Sequence, residues 1–142
     1  MKKLIVMRAA PGSGKSFEAE KLKTEALTNG LTCSIRSTDA QFYIGEKYIF
    51  DRTKLGMYHN RNLQYAIDDM KAGINIIIID NTNIKPRDYK GYVAQAVIFG
   101  YDVEEKKLDT PLELCLERNE KRSPDRKVPA DVVERMWNDL HS

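Results

Sequence analysis

Residues 6–16 decide the fold of this chain, and they read Val6-Met7-Arg8-Ala9-Ala10-Pro11-Gly12-Ser13-Gly14-Lys15-Ser16. The stretch follows an apolar run at residues 4–7 and leads into a segment with helical periodicity. Glycine, any four residues and then Gly-Lys-Ser/Thr is the pattern of a phosphate-binding loop, whose backbone N–H groups surround phosphates. In such a loop the lysine reaches the β- and γ-phosphates and the hydroxyl binds Mg²⁺. The sequence therefore predicts a nucleoside triphosphate site here.

This loop departs from the full pattern at one position, because Ala9 stands where the first glycine is expected. Alanine costs little where φ is negative, so we expect ordinary dihedrals at Ala9 and a turn made by the next residues. An accidental glycine-rich turn is the alternative, but strand, loop, Lys-Ser and helix occur here in the required order. The residues predicted to bind the nucleotide are Pro11, Gly12, Ser13, Gly14, Lys15 and Ser16. Lys15 is also expected to take part in catalysis, and Ser16 to bind the metal.

Length and composition restrict the remaining classes of function. A chain of 142 residues fits one domain that buries roughly two thirds of its unfolded surface. The 23 Lys and Arg against 21 Asp and Glu leave a net charge of +2, so any contact with nucleic acid has to be local. Two cysteines without a CxxC pattern argue against a zinc site or a disulfide framework. The N-terminal apolar run stops at Arg8, so we expect no targeting or membrane-spanning segment and a cytoplasmic location.

Apolar segments alternate with helical patterns along the chain, which predicts an α/β fold. Strands are predicted at residues 4–7, 31–35, 74–79 and 101–108, and a loop with at most one helical turn at 40–52. The strands at 4–7 and 74–79 are the most apolar and are expected to be adjacent and central, whereas the charges at 104–107 favour a sheet edge. The prediction is one doubly wound α/β domain over residues 1–142, with a parallel sheet of four or five strands and helices on both faces.

The helical patterns make finer predictions. Phe17 and Val97 are expected on the buried stripes of the helices that follow the phosphate-binding loop and the strand at 74–79. Thr110 and Glu113 have the spacing of a capping box, which would start a helix at Pro111. A terminal helix is predicted from near Pro129.

Three polar clusters follow predicted strands, at the edge of the sheet where ligands bind in such folds. Besides the phosphate-binding loop they are Ser37-Thr38-Asp39 and Asp80-Asn81-Thr82-Asn83. Asp39 is the candidate general base, since phosphoryl transfer to a hydroxyl needs a carboxylate facing the γ-phosphate. Asp80 is the candidate metal ligand together with Ser16. The alternatives are a helix cap for Asp39, a turn residue for Asp80 and an N-cap for Asn83.

The last group of candidate site residues is a basic cluster that contains Arg118, Lys121, Arg122, Arg126 and Lys127. We call residues 121–127 the lid segment. A guanidinium closing over a triphosphate stabilises the charge of the transferring group, and Arg122 is the candidate for this role, with Arg118 on the same helix face. Solvated cations at a helix C-terminus are the alternative. His59, a lone histidine on a predicted helix, is expected to be structural.

As a set these motifs resemble the kinase domain of phage and bacterial polynucleotide 5′-hydroxyl kinases. The residues that carry the resemblance span about 4–140 and are Ala10-Pro11-Gly12-Ser13-Gly14-Lys15-Ser16, Ser37-Thr38-Asp39, Asp80-Asn81-Thr82-Asn83, Asp109-Thr110-Pro111 and Arg118-Asn119-Glu120-Lys121-Arg122 followed by Val128-Pro129. The resemblance implies ATP and Mg²⁺ as cofactors and transfer to the 5′-OH of RNA or DNA. It implies Asp39 as base, Arg122 as lid arginine and Arg118 beside the nucleotide. With it we expect residues 1–142 to form a single P-loop kinase-type domain with a short basic lid, without the phosphatase domain of the phage enzyme.

Two departures from that family bear on the acceptor. Asn81 stands where the phage enzyme has an acidic residue, and Phe42 where it has a phosphate-binding arginine. The cations left for a nucleic-acid chain are the lid segment and Lys85, Arg87 and Lys90, while Phe42 or Tyr43 could stack on the first base. Three functions therefore stay open: a kinase of single-stranded nucleic-acid 5′-OH ends, a kinase of a small metabolite, nucleoside or sugar nucleotide, and a nucleotide-binding ATPase or regulatory module. No obligatory protein partner is indicated.

Overall fold

The computed structural model describes residues Met1–Ser142 and contains six strands and five α-helices. The strands are β1 (Lys3–Arg8), β2 (Cys33–Arg36), β3 (Tyr43–Ile44), β4 (Lys47–Tyr48), β5 (Ile76–Ile79) and β6 (Asp102–Lys107). The helices are α1 (Lys15–Thr28), α2 (Leu55–Lys71), α3 (Pro86–Ile98), α4 (Leu112–Glu120) and α5 (Ala130–Leu140). Two short 3₁₀ turns, Asp39–Phe42 and Arg52–Lys54, precede α2.

The main sheet has four parallel strands in the order β2-β5-β1-β6, so the predicted parallel α/β fold is confirmed. The central pair β1 and β5 is in register with Leu4 opposite Ile77 and Val6 opposite Ile79. The charged strand β6 lies at an edge, as its sequence predicts, because charges there discourage further pairing.

Alternate side chains of the central strands pack against helices on opposite faces of the sheet. Leu4 and Ile77 belong to a core cluster with residues of α2 and α3, whereas Ile5 and Ile78 pack against α1. All four are at most 5% exposed. Burial on both faces is what the continuous apolar runs of a parallel sheet predict.

The finer helix predictions are partly wrong. Phe17 is 78% exposed and Val97 is 70% exposed, so neither lies on a buried stripe. Helix α4 begins at Leu112 with Pro111 as its N-cap, and Thr110 makes no capping contact. The Thr110 hydroxyl donates instead to the carbonyl of Ser13, 2.8 Å away, because the phosphate-binding loop packs directly against this turn.

The segment predicted as a loop between Ala40 and Arg52 contains a small antiparallel hairpin. Its strands β3 and β4 pair Tyr43 with Tyr48 and turn at Gly45, whose φ is +64°. Two-residue strands carry too little periodicity to be seen in a sequence.

None of the five α-helices combines the length and the apolar character that a bilayer crossing requires.

Candidate active site

The phosphate-binding loop connects β1 directly to α1. Gly12 and Gly14 have φ values of +81° and +89°, which only glycine adopts readily, and α1 begins at Lys15. Ala9 has no positive φ, as its sequence position predicts. The N-terminus of α1 therefore presents free backbone N–H groups and the positive end of the helix dipole, an arrangement that suits phosphate.

Gly12 is held in contact with helix α4. A Cβ added to Gly12 would lie 2.3 Å from the carbonyl oxygen of Cys115, so the loop backbone passes closer to this helix than any side chain would allow. At Gly14 an added Cβ would meet a guanidinium nitrogen of Arg118 at 3.1 Å. The Arg118 side chain therefore lies against the loop.

Asp80 lies beside both side chains that end the phosphate-binding motif. Its carboxylate accepts hydrogen bonds from Lys15 Nζ at 3.0 Å and from Ser16 Oγ at 3.2 Å, and the residue is only 5% exposed. Asn81 has a different task, because its side-chain oxygen accepts a hydrogen bond from the Thr38 backbone N–H at 2.9 Å. Within the Asp-Asn-Thr-Asn stretch, Asp80 faces the phosphate-binding loop and Asn81 joins the loops after β5 and β2.

Asn83 is not the N-cap that its sequence suggested. Helix α3 begins at Pro86 with Lys85 as its N-cap, and Asn83 is a buried residue with a φ of +46°. Its side-chain nitrogen donates to the carbonyl of Met7 at 2.8 Å. The Ala9 N–H donates to the carbonyl of Thr82 at 3.0 Å. These contacts fix the loop after β5 against the end of β1.

Asp39 begins the 3₁₀ turn after β2 and is held by two donors. The Tyr48 hydroxyl donates to one carboxylate oxygen at 2.5 Å, and Arg126 Nη2 donates to the other at 3.0 Å. Burial and the hydrogen bond to Asp39 raise the pKa of Tyr48, so the phenol keeps its proton. Each carboxylate oxygen can accept a second hydrogen bond, which leaves room for an acceptor hydroxyl. Asp39 is not a helix cap, because Thr38 holds the N-cap position of this turn.

Arg126 connects the lid segment to the hairpin. Besides Asp39 it donates from Nη1 to the Tyr43 hydroxyl at 2.6 Å, and its guanidinium lies 5.1 Å from the ring centre of Tyr48. The lid segment is therefore docked across the cavity described below.

Arg122 lies beyond the end of α4, which stops at Glu120. The prediction that Arg122 shares a helix face with Arg118 is therefore wrong. No carboxylate lies within ion-pair distance of its guanidinium. Partial burial and the neighbouring Arg126 lower the pKa of Arg122. A half-buried guanidinium without an anionic partner is a group that an anionic ligand would stabilise.

These residues surround one cavity of about 390 Å³, a volume within the usual range for a small-molecule site. The phosphate-binding loop lies along one wall. We call the part near Val128 and Met136 the donor end and the part near Asp39 the acceptor end, after the roles that we propose for them below. The acceptor end is lined by Thr38, Asp39, Phe42, Tyr48, Phe50, Leu55 and His59. Lys15, Arg122 and Arg126 are the cationic side chains in the lining, whereas Lys85, Arg87 and Lys90 are not part of it.

The sequence-based expectation that Phe42 could stack on a base is wrong, because the ring is buried. Phe42 is 3% exposed and its ring packs between those of Phe50 and Tyr58, with centroids 5.0 and 4.7 Å away. His59 Nδ1 lies 3.1 Å from the Thr38 hydroxyl, and desolvation lowers its pKa, which suits the structural role expected for it.

The donor set at Ser16 and Asp80 fits Mg²⁺. A hydroxyl oxygen and a buried carboxylate are already within hydrogen-bond distance of each other, and Mg²⁺ in such sites is held by one or two protein oxygens, water and substrate phosphates.

Sequence reasoning missed Tyr48, Phe50, Val128 and Met136 as lining residues and did not link Arg126 to Asp39. The Asp39–Arg126 contact joins residues 87 positions apart, and no local pattern indicates such a pair.

Comparison with known proteins identifies the protein family of the chain. A family of AAA domains, AAA_33, matches residues 4–142. The chain belongs to this AAA domain family. Human (Homo sapiens) NEDD4-binding protein 2 is 41% identical over 107 residues, which are 75% of this chain and 6% of that protein. The chain thus spans only a small fraction of this curated relative.

Solved structures show the same fold as this AAA domain. A chain of the Pnkp1/Rnl/Hen1 RNA repair complex superimposes with a TM-score of 0.75 and 23% identity, over 99% of this chain and 44% of that one. The Mycobacterium tuberculosis APS kinase CysC, in complex with AMPPNP and APS, has a TM-score of 0.64 and 20% identity, over 84% of this chain and 69% of that one. The chain therefore has the P-loop kinase fold, as its sequence predicts.

Proposed function

We propose that this domain transfers the γ-phosphate of ATP to a 5′-hydroxyl end of RNA or DNA. The observation that carries the proposal is the shared cavity, because one lining contains both the phosphate-binding loop and the Asp39 carboxylate. A hydroxyl acceptor bound at Asp39 would face a triphosphate on the loop, as in-line transfer requires.

The chemical step assigns one task to each residue. Asp39 takes the proton of the acceptor hydroxyl, whose oxygen forms a bond to the γ-phosphorus while the bond to the β,γ-bridging oxygen breaks and ADP leaves. Lys15 leaves Asp80 to contact the β- and γ-phosphates. Ser16 and Asp80 would hold Mg²⁺, which neutralises charge on those phosphates. Arg122, free of any carboxylate, meets the charge that develops on the transferring group.

The nucleic-acid acceptor is supported by the motif set and by the likeness to a chain of an RNA repair complex. Lys121 and Lys127 of the lid segment are exposed outside the cavity lining, and so are Lys85, Arg87 and Lys90; phosphates beyond the first nucleotide could meet these cations.

One observation favours a small acceptor instead, namely a nucleoside, sugar nucleotide or other metabolite. The only cation that approaches Asp39 within ion-pair distance is Arg126. Arg126 is therefore already engaged at the acceptor end and offers little to a chain of phosphates.

Phosphoryl transfer from labelled ATP to a panel of acceptors separates these functions. The panel contains 5′-OH oligonucleotides of increasing length, mononucleosides and sugar nucleotides, each at two salt concentrations. A nucleic-acid acceptor should improve with length and weaken with salt, at a slope of about −0.7 per phosphate contacted. Equal phosphorylation of a mononucleoside, without dependence on length or salt, would contradict the polynucleotide function.

Asp39→Asn tests the base in the same assay. The exchange keeps the size of the side chain but removes the proton acceptor, so transfer should fall by roughly 10² to 10⁴ with nucleotide binding retained. Asp125→Asn in the exposed part of the lid segment is the matched control and should transfer normally. Loss of ATP affinity with unchanged transfer would make Asp39 a structural residue.

A further inference from the structure

We propose that Phe50 is the surface on which the terminal base of the acceptor stacks. The inference rests on the proposed function, in which Asp39 receives the acceptor hydroxyl. It identifies the part of the substrate that the site recognises, namely a planar heterocycle next to the reacting hydroxyl.

Phe50 combines exposure with a fixed position in the cavity wall. Its side chain is 51% exposed although it lines the cavity, and its ring rests on Phe42 with centroids 5.0 Å apart. Phe42 is itself buried and supported from below by Tyr58. The Phe50 ring is therefore held by packing on Phe42, while about half of the residue's surface stays exposed in the cavity wall. An exposed apolar surface inside a concave site is typical of a ligand contact.

The neighbouring tyrosines are already engaged. The Tyr48 hydroxyl is bound to Asp39, and Arg126 lies over its ring. The guanidinium of Arg126 also lies 5.6 Å from the ring centre of Tyr43, and its Nη1 donates a hydrogen bond to the Tyr43 hydroxyl. Tyr43 does not line the cavity. Phe17 is also exposed and lines the cavity, but it lies in the first turn of α1, beside the phosphate-binding loop. Phe50 is thus the aromatic ring of the acceptor end that is free to stack.

The ring belongs to the acceptor and not to the nucleotide donor. Phe42, on which it rests, ends the same 3₁₀ turn that Asp39 begins. The donor end is lined by aliphatic side chains, Val128 and Met136, near α4 and α5. A base stacked on Phe50 would therefore lie next to the carboxylate that takes the proton.

Stacking on phenylalanine has a definite consequence for specificity. An aromatic face carries no directional hydrogen-bonding groups, so it accepts all four bases in a similar way. The acceptor class is a 5′-OH terminal nucleoside with any base, and an end that lacks its base should be a poor substrate.

The test compares two acceptors with three forms of the protein. The acceptors are a 5′-OH oligonucleotide and the same oligonucleotide with an abasic 5′-terminal residue, which keeps every phosphate and the hydroxyl. For the wild type, kcat/KM should be about tenfold higher with the base present, the usual size of one base–aromatic stack. Phe50→Ala should remove this preference. Phe50→Leu should remove it as well, while its similar volume preserves packing on Phe42 and therefore the fold.

Ile44→Ala is the matched control, since Ile44 is a 69% exposed apolar residue of the hairpin that precedes Phe50 and does not line the cavity. It should keep the wild-type preference. Equal kcat/KM of the wild type for both acceptors, or a preference retained by Phe50→Leu, would overturn the inference while the kinase activity stands. Absence of transfer from ATP to either acceptor by the wild type would overturn the proposed function itself.

Discussion

Gly12→Ala should disrupt the phosphate-binding loop through two separate effects. At a φ of +81° an alanine Cβ costs about 1–2 kcal/mol relative to glycine. The same Cβ would lie 2.3 Å from the Cys115 carbonyl oxygen, roughly 1 Å inside an ordinary C···O contact. Relieving this overlap moves backbone of the loop or of α4, at a cost of about 1–3 kcal/mol. The free energy of unfolding should therefore fall by roughly 2–5 kcal/mol.

Gly30→Ala isolates the two effects, since Gly30 has a φ of +75° with no atom within 4 Å of an added Cβ. Urea denaturation should show a loss of only about 1–2 kcal/mol for this control. Titration with an ATP analogue should show lower affinity for Gly12→Ala and unchanged affinity for Gly30→Ala. Equal stability losses for the two variants would refute the close contact between the loop and α4. Normal nucleotide affinity of a folded Gly12→Ala variant would refute the phosphate-binding role of the loop.

Three further predictions concern the ionisable groups of the site. Asp80→Asn should raise the Mg²⁺ concentration needed for half-maximal transfer by roughly 10- to 100-fold, and a metal titration of unchanged midpoint would exclude Asp80 as a metal-site residue. Arg122→Ala should weaken transfer yet raise the stability of the nucleotide-free protein by roughly 0.5–1 kcal/mol, because it removes a half-buried cation without a partner; Arg135→Ala, at an exposed arginine of α5 outside the cavity lining, should change neither. Partial desolvation lowers the pKa of His59 although the residue is exposed, so the folded state binds fewer protons than the unfolded state. Its small contribution to stability should be fully present above about pH 6.5 and decrease as the pH falls below it; in denaturation at about pH 7.5 and about pH 5.5, His59→Gln should show a smaller decrease than the wild type, and an equal decrease would argue against this titration.

The fold could be predicted because its strongest signals are local. The Ile76–Ile79 run has four buried isoleucines, and the phosphate-binding loop joins an apolar strand to a helix within a few residues. Stripe assignments failed where a segment is short or amphipathicity is weak. Phe17 lies in the first turn of α1, at the mouth of the cavity, where no element covers it.

The site could be predicted only as a set of candidates. Asp39, Asp80 and the phosphate-binding loop follow strands that a parallel sheet must bring to one edge, so their proximity follows from topology. Which donors hold Asp39 depends on how the lid segment and the hairpin dock, and neither has a periodic sequence. The left-handed conformation of Asn83 and its contact with the end of β1 are tertiary as well, since an N-cap and a bridging asparagine are identical in sequence.

The position of β1 at the centre of the sheet also affects how the chain reaches its native state. Lys3 pairs with Ile76 on one side and with Asp102 on the other, so the first strand to be synthesised finds its partners only after most of the chain exists. Both pairings require the closure of long loops, which costs conformational entropy before the stabilising apolar contacts form. Folding is therefore expected to be slower than in proteins with mainly local contacts. During translation the apolar run that precedes the phosphate-binding loop must wait unpaired. Nascent chains that pause before β5 are therefore the species in which this strand has neither partner and is most open to chaperones or to aggregation.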